Sequence, residues 1–199
     1  MKYRNIAIER EYGSGGTQIG EAVAKELGIA CCGREIYEKV AGDLRITVSE
    51  AENMEENITN SFLYSLAMLA NVQRGNGTTL SMEQKIHLSM QKEMCEIAEQ
   101  ERCVFIGHCA LEALKDRNDV LKVFIRASDS AKTNRIVNEY KVLPDMVERT
   151  KEKVNRRRRK TFQAYTSKQW ENPDNYDLIL DSGKLGIENC VSILVGLLK

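Results

Sequence analysis

The stretch that decides the fold is IAIEREYGSGGT, residues 6–17. It begins with a short apolar run that is typical of a buried strand ending at Glu9. A glycine-rich turn at residues 13–17 follows directly, and a segment with helical periodicity comes next. A strand, a glycine turn and a helix in this order attract anions, because the N–H groups of the turn and the positive end of the helix point to the same place. The sequence therefore predicts a phosphate site at this turn.

The predicted phosphate cradle consists of Gly13, Ser14, Gly15, Gly16 and Thr17. Glycines at the bend let N–H groups turn inward, and Thr17 falls in the first helical turn, where a hydroxyl can ligate Mg²⁺. A tight strand-to-helix turn without a ligand is the alternative. The position of the turn between a strand and a helix favours phosphate binding over that alternative.

The turn departs from the standard P-loop pattern G-x-x-x-x-G-K-[ST] at two positions. When Gly15 and Thr17 are aligned with the pattern, Gly16 stands where the lysine belongs and Arg10 stands where the first glycine belongs. The lysine of the pattern reaches the β- and γ-phosphates of a nucleotide. Either another cation replaces it, with Arg10 as the candidate, or catalysis is weak or absent.

Downstream of the turn, strand and helix patterns alternate to the end of the chain. Residues 34–101 are mainly helical in pattern, with a loop at residues 74–77 and a long helix capped by Ser81. Strands separated by helices indicate a parallel sheet with helices on both faces, and ligands of such sheets lie at the carboxyl ends of the strands. The short apolar runs that predict these strands are residues 29–32, 103–106, 121–125 and 177–180.

The 199 residues carry 29 basic and 29 acidic side chains, so the formal net charge is zero. A protein that mainly coats nucleic acid is normally basic overall, which argues against that class. No apolar stretch approaches the ~18 residues that a membrane span needs, and no signal peptide precedes the first predicted strand. The six cysteines lack the paired spacing of a zinc site. We therefore expect a cytoplasmic protein with reduced thiols and no membrane partner.

Two acidic residues, Glu9 and Asp129, end or follow predicted strands near the expected phosphate site. Either carboxylate could hold Mg²⁺ through a water molecule, because Mg²⁺ usually retains several waters in protein sites. The alternative is that both are solvated loop acids.

The segment at residues 6–16 resembles the opening of the cytidylate kinase-like proteins of bacteria, whose first loop typically reads R-E-Y-G-S-G-G. The resemblance continues in the same order along nearly the whole chain, which is far more specific than a glycine turn alone. The further matching segments are Gly33-Arg34-Glu35-Ile36 with D-R-E-I, residues 104–108 with a strand ending in G-R, residues 155–166 with D-K-x-R…Y-T, and residues 170–178 with W-x-x-P-x-N-Y-D-L.

This resemblance implies an α/β protein with the three-layer fold of P-loop NTPases and nucleoside monophosphate kinases. The fold would form a single domain over residues 1–199, with a mostly parallel sheet, a helical insertion for the acceptor in residues 34–101 and a helical lid in residues 129–166. The resemblance also implies Mg²⁺-dependent transfer of the γ-phosphoryl group of ATP to CMP or dCMP. Catalysis of this reaction depends on positioning and charge neutralisation.

The strongest local positive charge is the run of residues 156–160. Five consecutive helical residues cover more than one turn, so they cannot all face one ligand. By register with the family, Arg158 matches the lid arginine and Arg156 its basic neighbour, so both join Arg10 as candidate catalytic residues. For Arg157 and Arg159 we favour a solvated helix face. A nucleic-acid patch is a third interpretation, which the neutral net charge and the lack of interleaved aromatic residues weaken.

Three positions depart from the family's pattern. Glycine replaces an aspartate at Gly33, histidine replaces an arginine at His108, and asparagine replaces an aspartate at Asn155. The first two stand where the family has a charged side chain that could orient the acceptor, and Arg34 and His108 are the candidate acceptor-binding residues. The departures leave the acceptor open. The alternative function is a catalytically inactive, nucleotide-binding regulatory protein, which the missing P-loop lysine motivates.

Overall fold

The computed structural model describes residues 2–56 and 81–199. In this part of the chain the centre is a five-stranded sheet with the strand order β2-β3-β1-β4-β5, and every neighbouring pair is parallel. All five strands predicted from the apolar runs are confirmed, with ends that differ by no more than one residue. The strands are β1 (Asn5–Arg10), β2 (Ala30–Cys32), β3 (Cys103–Ile106), β4 (Val120–Arg126) and β5 (Leu178–Asp181).

Helices connect the strands. Short 3₁₀ turns at Pro144–Met146 and Pro173–Asn175 precede α7 and β5. The predicted loop at residues 74–77 lies outside the described residues. The helices of the described part are α1 (Gly16–Leu27), α2 (Glu35–Leu44), α3 (Val48–Glu56), α4 (Met82–Gln100), α5 (Ala110–Ala113), α6 (Asp129–Asn138), α7 (Val147–Thr166), α8 (Ser182–Leu185) and α9 (Ile187–Leu198).

Two apolar clusters lie on opposite faces of the sheet. Successive residues of a strand point to opposite faces, so Ile6 and Ile8 of β1 enter one cluster and Ala7 enters the other. Helices α1 and α9 supply the first cluster, while α2, α4 and α7 supply the second. This is the three-layer arrangement predicted from the sequence. Helix α4 buries a stripe of residues in the second cluster, which consists of Ile86, Met90, Met94 and Ile97.

Local signals mark the end of α1 and the start of α4. Helix α1 ends at Gly28, which is left-handed at φ 63° and whose N–H donates to the carbonyl oxygen of Lys25. Helix α4 begins after Ser81, whose hydroxyl accepts from the Gln84 N–H at 3.3 Å, while the Gln84 side chain accepts from the Ser81 N–H at 2.8 Å. This reciprocal pair is a capping box, which confirms the predicted cap.

The parallel direction of the strands brings their carboxyl ends to one edge of the sheet. The glycine turn follows β1 at this edge, Gly33 follows β2, and Gly107 follows β3. Since open α/β sheets bind ligands at this edge, the fold places the predicted site residues where a ligand is expected. Within residues 2–56 and 81–199, no helix combines the length and apolar composition that crossing a bilayer requires.

Candidate active site

The glycine loop (residues 11–17) joins β1 to α1, and Ser14 braces it from within. The N–H and the hydroxyl of Ser14 both donate to the carbonyl oxygen of Glu11, at 3.2 and 2.8 Å. The Ser14 carbonyl oxygen accepts from the hydroxyl of Ser182. Ser14 is fully buried, and its N–H already has an acceptor inside the protein. Ser14 therefore braces the loop, and its part in the phosphate cradle stays a prediction.

Two side chains from other helices fix the loop from outside. Asn155 of α7 accepts the Tyr12 N–H through Oδ1 at 2.7 Å, and Arg135 of α6 donates from Nη1 to the Gly13 carbonyl oxygen at 2.7 Å. Asn155 is buried, so the departure from the family's aspartate falls on a contact to the loop. No sequence signal singled out Arg135, because its partner is a backbone carbonyl 122 residues away. The loop is therefore held in one shape before any ligand binds.

Glycine is required at two positions of the loop. Gly13 and Gly15 are left-handed, with φ 81° and φ 74°. A Cβ on Gly13 would lie 2.8 Å from Cδ1 of Ile136, and a Cβ on Gly15 would lie 2.6 Å from Cδ1 of Ile187. The loop opens into the first turn of α1, whose N–H groups have no acceptor within the helix. This cradle fits a phosphate group, because it offers N–H donors and the positive end of a helix in the absence of side chains.

The side chain of Arg10 occupies the space that a residue at position 16 would need. A Cβ on Gly16 would lie 2.5 Å from the Arg10 Cβ and 2.9 Å from its Cγ. Further out, the guanidinium group of Arg10 lies against Gly107, where a Cβ would come within 2.1 Å of Nη1. Gly16 and Gly107 therefore form the two walls between which Arg10 runs, from the end of β1 toward the end of β3. An arginine entering from position 10 thus takes the place of a side chain entering from position 16.

Arg158 meets Arg10 at the same point. It donates from Nη1 to the Arg10 carbonyl oxygen at 2.7 Å. Burial and the neighbouring positive charge of Arg10 lower the pKa of Arg158 to about 9, while the carboxylate of Glu9 acts in the opposite direction. The structure therefore brings together two of the three predicted catalytic arginines.

Two cavities of about 460 Å³ each open on either side of this pair of arginines. The loop cavity lies against the glycine loop, between Gln18 of α1 and the segment Glu139–Tyr140. The strand-end cavity lies at the ends of β2 and β3 and reaches α2, α3 and α7. The residues that line both cavities are Arg10, Thr17, Glu21 and Arg158.

The strand-end cavity contains both predicted acceptor-binding residues, Arg34 and His108. Arg34 forms a two-pronged ion pair with Glu52, at 2.6 Å from Nε and 3.3 Å from Nη2, and remains 74% exposed. His108 packs edge-on against the ring of Tyr37, with the ring centroids 4.7 Å apart. Gly33 also lines the cavity, so the position of the family's aspartate carries no side chain here.

The backbone that carries His108 is strained. Gly107, His108 and Cys109 are all left-handed, with φ values of 79°, 55° and 52°. Residues with a side chain rarely adopt this conformation, which costs roughly 1–2 kcal/mol each. Strain of this kind persists where the surrounding structure requires it, and here it directs the chain from the end of β3 along the wall of the strand-end cavity.

In α7, the basic neighbour of Arg158 that lines a cavity is Arg157, whereas alignment with the family predicts Arg156. Arg157 lines the strand-end cavity, whereas Arg156 is exposed and lines neither cavity. Successive helical residues are rotated by ~100°, so Arg157 is the neighbour of Arg158 on the cavity side and Arg156 points back to solvent. The catalytic role of Arg156 stays a prediction, for a residue that lines neither of the two cavities. Arg159 instead pairs with Glu171, so the run does not form one continuous basic face.

Thr17 and Glu21 are suitable ligands for Mg²⁺. They lie one turn apart on the same face of α1, and both line both cavities. Mg²⁺ is usually held by one or two protein oxygens together with phosphate oxygens and water, and a hydroxyl with one carboxylate fits that requirement. Among the described residues, no three His, Cys, Asp or Glu side chains come together as a metal cage.

The two acidic candidates for a water-mediated Mg²⁺ contact lie in different places. Asp129 lines neither cavity and is engaged by Lys151 at 2.8 Å and Lys132 at 3.5 Å, which hold its pKa below the ordinary value. Glu9 lines the strand-end cavity and is buried, with its Oε2 accepting from Trp170 Nε1 at 3.0 Å. Glu9 is therefore a buried, hydrogen-bonded acid, whereas Asp129 is an ion-paired acid in the first turn of α6 whose side chain remains 70% exposed.

The sequence profile of the cytidylate kinase-like family matches residues 5–184. The chain belongs to the cytidylate kinase-like family. The matched range includes β1, the glycine loop, both cavities and α7. Membership in the cytidylate kinase-like family supports a nucleotide kinase-like function with nucleotides as small-molecule partners. No curated protein matches the chain.

Solved structures show the same fold at low identity. An uncharacterized protein from Eubacterium ventriosum ATCC 27560 is similar over 98% of this chain and 97% of its own, with a TM-score of 0.71 and 20% identity. Shikimate kinase from Bacteroides thetaiotaomicron is similar over 98% of this chain and 97% of its own, with a TM-score of 0.53 and 18% identity. This member of the cytidylate kinase-like family therefore has the P-loop kinase fold, as predicted.

Proposed function

We propose that the protein transfers the γ-phosphoryl group of ATP to CMP or dCMP. The observation that supports this is the junction of two equal cavities at Arg10 and Arg158. Phosphoryl transfer between two nucleotides requires a donor and an acceptor on either side of a positively charged point, and both cavities share this point. The family to which the chain belongs supports a cytidine nucleotide as the acceptor.

In the proposed reaction an oxygen of the acceptor phosphate bonds to the γ-phosphorus of ATP. The bond between that phosphorus and the bridging oxygen breaks, and ADP leaves with the electron pair, so the products are ADP and CDP or dCDP. Negative charge spreads over the outer oxygens of the group in transfer. Arg10 and Arg158 lie where that charge develops, and they are fixed in advance by packing against Gly107 and by the 2.7 Å hydrogen bond.

The glycine loop is the proposed donor site. Gly13, Gly15 and Gly16 would hold the ATP phosphates through the backbone, while the hydroxyl of Thr17 and the carboxylate of Glu21 would hold Mg²⁺. When bound, Mg²⁺ neutralises charge on the phosphate oxygens and helps to orient them. Arg10 supplies the positive charge that the P-loop lysine supplies in the standard pattern.

The strand-end cavity is the proposed acceptor site. Arg34 and Arg157 offer positive charge to the acceptor phosphate, and His108 with Tyr37 offers ring surface and polar atoms to the base. Helices α2 to α4 correspond to the proposed acceptor-binding insertion, and α6 with α7 corresponds to the proposed lid. A closing lid would exclude water from the transferring group.

We place this reaction in the cytoplasm. All six cysteines are free thiols, and three of them, Cys103, Cys109 and Cys190, are buried. Cys31 lines the strand-end cavity, where burial raises the pKa of its thiol to about 11 and keeps it protonated at neutral pH. Thiols in this state suit a reducing compartment.

A coupled assay for ADP release, with CMP, dCMP, UMP and AMP as acceptors and with or without Mg²⁺, tests the proposal. We expect the highest turnover with CMP or dCMP, a requirement for Mg²⁺, and loss of turnover in Arg158→Ala. Arg149→Ala is the matched control, because Arg149 is an exposed arginine of the same helix that lines neither cavity. Absence of turnover with every acceptor would contradict the proposal, and tight ATP binding without turnover would instead favour a non-catalytic nucleotide-binding protein.

A further inference from the structure

Glu9 is a buried acid at the centre of a positively charged site. It is 4% exposed, precedes Arg10 on β1 and lines the strand-end cavity. Trp170, itself 2% exposed, donates to its Oε2 at 3.0 Å and packs edge-on against Phe124, with ring centroids 5.2 Å apart. The carboxyl group is therefore held in one orientation by a side chain that is fixed in the core.

The burial of an acid beside the predicted phosphate site has to be compensated by neighbouring groups. Burying a carboxylate is costly unless opposite charges and hydrogen bonds compensate it, and a carboxylate beside a phosphate site repels the ligand. Burial accordingly raises the pKa of Glu9, whereas Arg10, the Trp170 hydrogen bond, Arg158 and His108 act to lower it. A group that only filled space here would be apolar.

The two arginines of the site, Arg10 and Arg158, compensate the buried Glu9 carboxylate. Arg158 donates to the main-chain carbonyl oxygen of Arg10 at 2.7 Å, and both arginines line the same two cavities. After burial, the positive charge of Arg10 is the next largest cause that lowers the pKa of Arg158. The charged or titratable groups facing Arg158 are Arg10, Glu9, Arg157 and Tyr140. Of these, Glu9 is the carboxylate, and it lines the strand-end cavity together with both arginines.

We propose that Glu9 is a positioning residue, whose carboxylate holds Arg10 and Arg158 together at the junction of the two cavities before substrate phosphates bind. Phosphate oxygens then bind to arginines that are already in place, which avoids reorganisation during the reaction. The proposal rests on the proposed function for its effect on turnover. Its effect on anion binding does not depend on that function.

The chain contains a built-in reporter for this carboxyl group. Trp170 is the only tryptophan of the sequence, and its indole N–H donates directly to Glu9. Its fluorescence emission should therefore follow the protonation of Glu9. An anion bound between Arg10 and Arg158 repels the Glu9 carboxylate and favours its protonated form, so pyrophosphate should move the Glu9 transition to higher pH.

The first measurement follows Trp170 emission against pH, with and without pyrophosphate, in the full chain. We expect a transition above the ordinary glutamate range in the wild type, a shift to higher pH with pyrophosphate, and no such transition in Glu9→Gln. His108 and Tyr176 also face Glu9, so the same titration in His108→Gln must retain the transition. Identical transitions in the wild type and Glu9→Gln, or no shift with pyrophosphate, would overturn the proposal.

The second measurement separates positioning from a structural role by steady-state kinetics with ATP and CMP. Glu9→Gln keeps the size and the acceptor for Trp170 but removes the charge, and we expect kcat to fall about 10- to 100-fold with KM for ATP unchanged or lower. Trp170→Phe removes the hydrogen bond but keeps the charge, and we expect a smaller loss of kcat. Glu9→Asp, which keeps the charge, should fall between the wild type and Glu9→Gln.

Equal losses in Glu9→Gln and Trp170→Phe, or wild-type kcat in Glu9→Gln, would overturn the positioning role. If the wild type shows no turnover with any acceptor, the proposed function fails, and the emission titration with pyrophosphate still decides the proposal for Glu9.

Discussion

The loop cavity is shaped mainly by backbone, whereas the strand-end cavity is shaped mainly by side chains. The loop cavity owes its shape to the backbone, since Gly13 and Gly15 are left-handed and leave no room for a Cβ. The strand-end cavity owes its shape to side chains, including Arg34 and His108, which project from the ends of two strands. A backbone cradle binds the feature that all nucleoside triphosphates share, whereas a side-chain cavity can change its ligand through single substitutions.

Two of the three departures from the family's pattern, Gly33 and His108, line the strand-end cavity. The third, Asn155, contacts the glycine loop, whose glycines retain the pattern. Arg10 and Arg158 belong to both cavities. Substitutions at the junction should therefore affect donor and acceptor together, whereas substitutions in one cavity should affect one substrate.

The largest effect is expected at the junction. Arg158→Ala should lower kcat/KM by about 10³-fold, because an arginine that neutralises the transferring phosphoryl group is worth roughly 10³–10⁵ in rate. Steady-state assays with ATP and CMP check this, with Arg149→Ala as the control. A loss below tenfold would show that the junction is not the point of transfer.

The second largest effect is expected at Gly15 of the loop. Comparison with Gly28 distinguishes the lack of room for a Cβ from the strain of a left-handed backbone. Gly15→Ala should abolish detectable ATP binding and lower the free energy of unfolding by about 2–4 kcal/mol, because a Cβ there overlaps Ile187 and the residue is left-handed. Gly28→Ala is the matched control, because Gly28 is also left-handed but a Cβ there meets nothing within 4 Å. It should cost about 1 kcal/mol and leave activity intact. Calorimetry and urea unfolding measure both quantities, and equal losses in the two variants would contradict this account.

A smaller and more selective effect is expected in the strand-end cavity. His108→Gly should raise KM for CMP about tenfold and leave KM for ATP unchanged, since the imidazole lines only the strand-end cavity, the proposed acceptor site. The free energy of unfolding should fall by less than about 1 kcal/mol, because relief of the left-handed strain offsets the lost contact with Tyr37. A change in KM for ATP of the same size would show that the two cavities do not bind separate substrates.

The smallest effect is expected at the exposed rim of the same cavity. Arg34→Ala should raise KM for CMP a few-fold and change the free energy of unfolding by less than about 0.5 kcal/mol, because its ion pair with Glu52 is largely solvated. Thermal unfolding and acceptor titrations measure the two effects. A large loss of stability would mean that the Arg34–Glu52 pair holds α2 against α3.

The sequence predicts the fold well because its signals are local. The apolar runs placed the five strands and Ser81 capped α4, as the structure confirms. Each signal lies within a few residues of the element that it determines. The order of the strands in the sheet is not local, and only the alternation of strands and helices indicated that the sheet is parallel.

The sequence predicts the site less completely because several contacts depend on long-range packing. Arg135 and Trp170 act on groups 122 and 161 residues away, and no pattern near them marks this role. The choice between Arg156 and Arg157 depends on how α7 is rotated about its axis. That rotation is set by the buried residues of the helix, including Asn155 and Phe162, and a run of five basic residues carries no information about it.

The replacement of the P-loop lysine by Arg10 is the central claim, and a double-mutant cycle on kcat/KM tests it most directly. Gly16→Lys alone should lose about 100-fold or more, because the new side chain overlaps Arg10, and Arg10→Gly alone should lose a similar amount, because the cation is removed. The double variant, Arg10→Gly with Gly16→Lys, has the standard P-loop pattern and should recover at least about tenfold over either single variant. Losses that simply multiply in the double variant, or an Arg10→Gly protein with wild-type kcat/KM, would contradict the account.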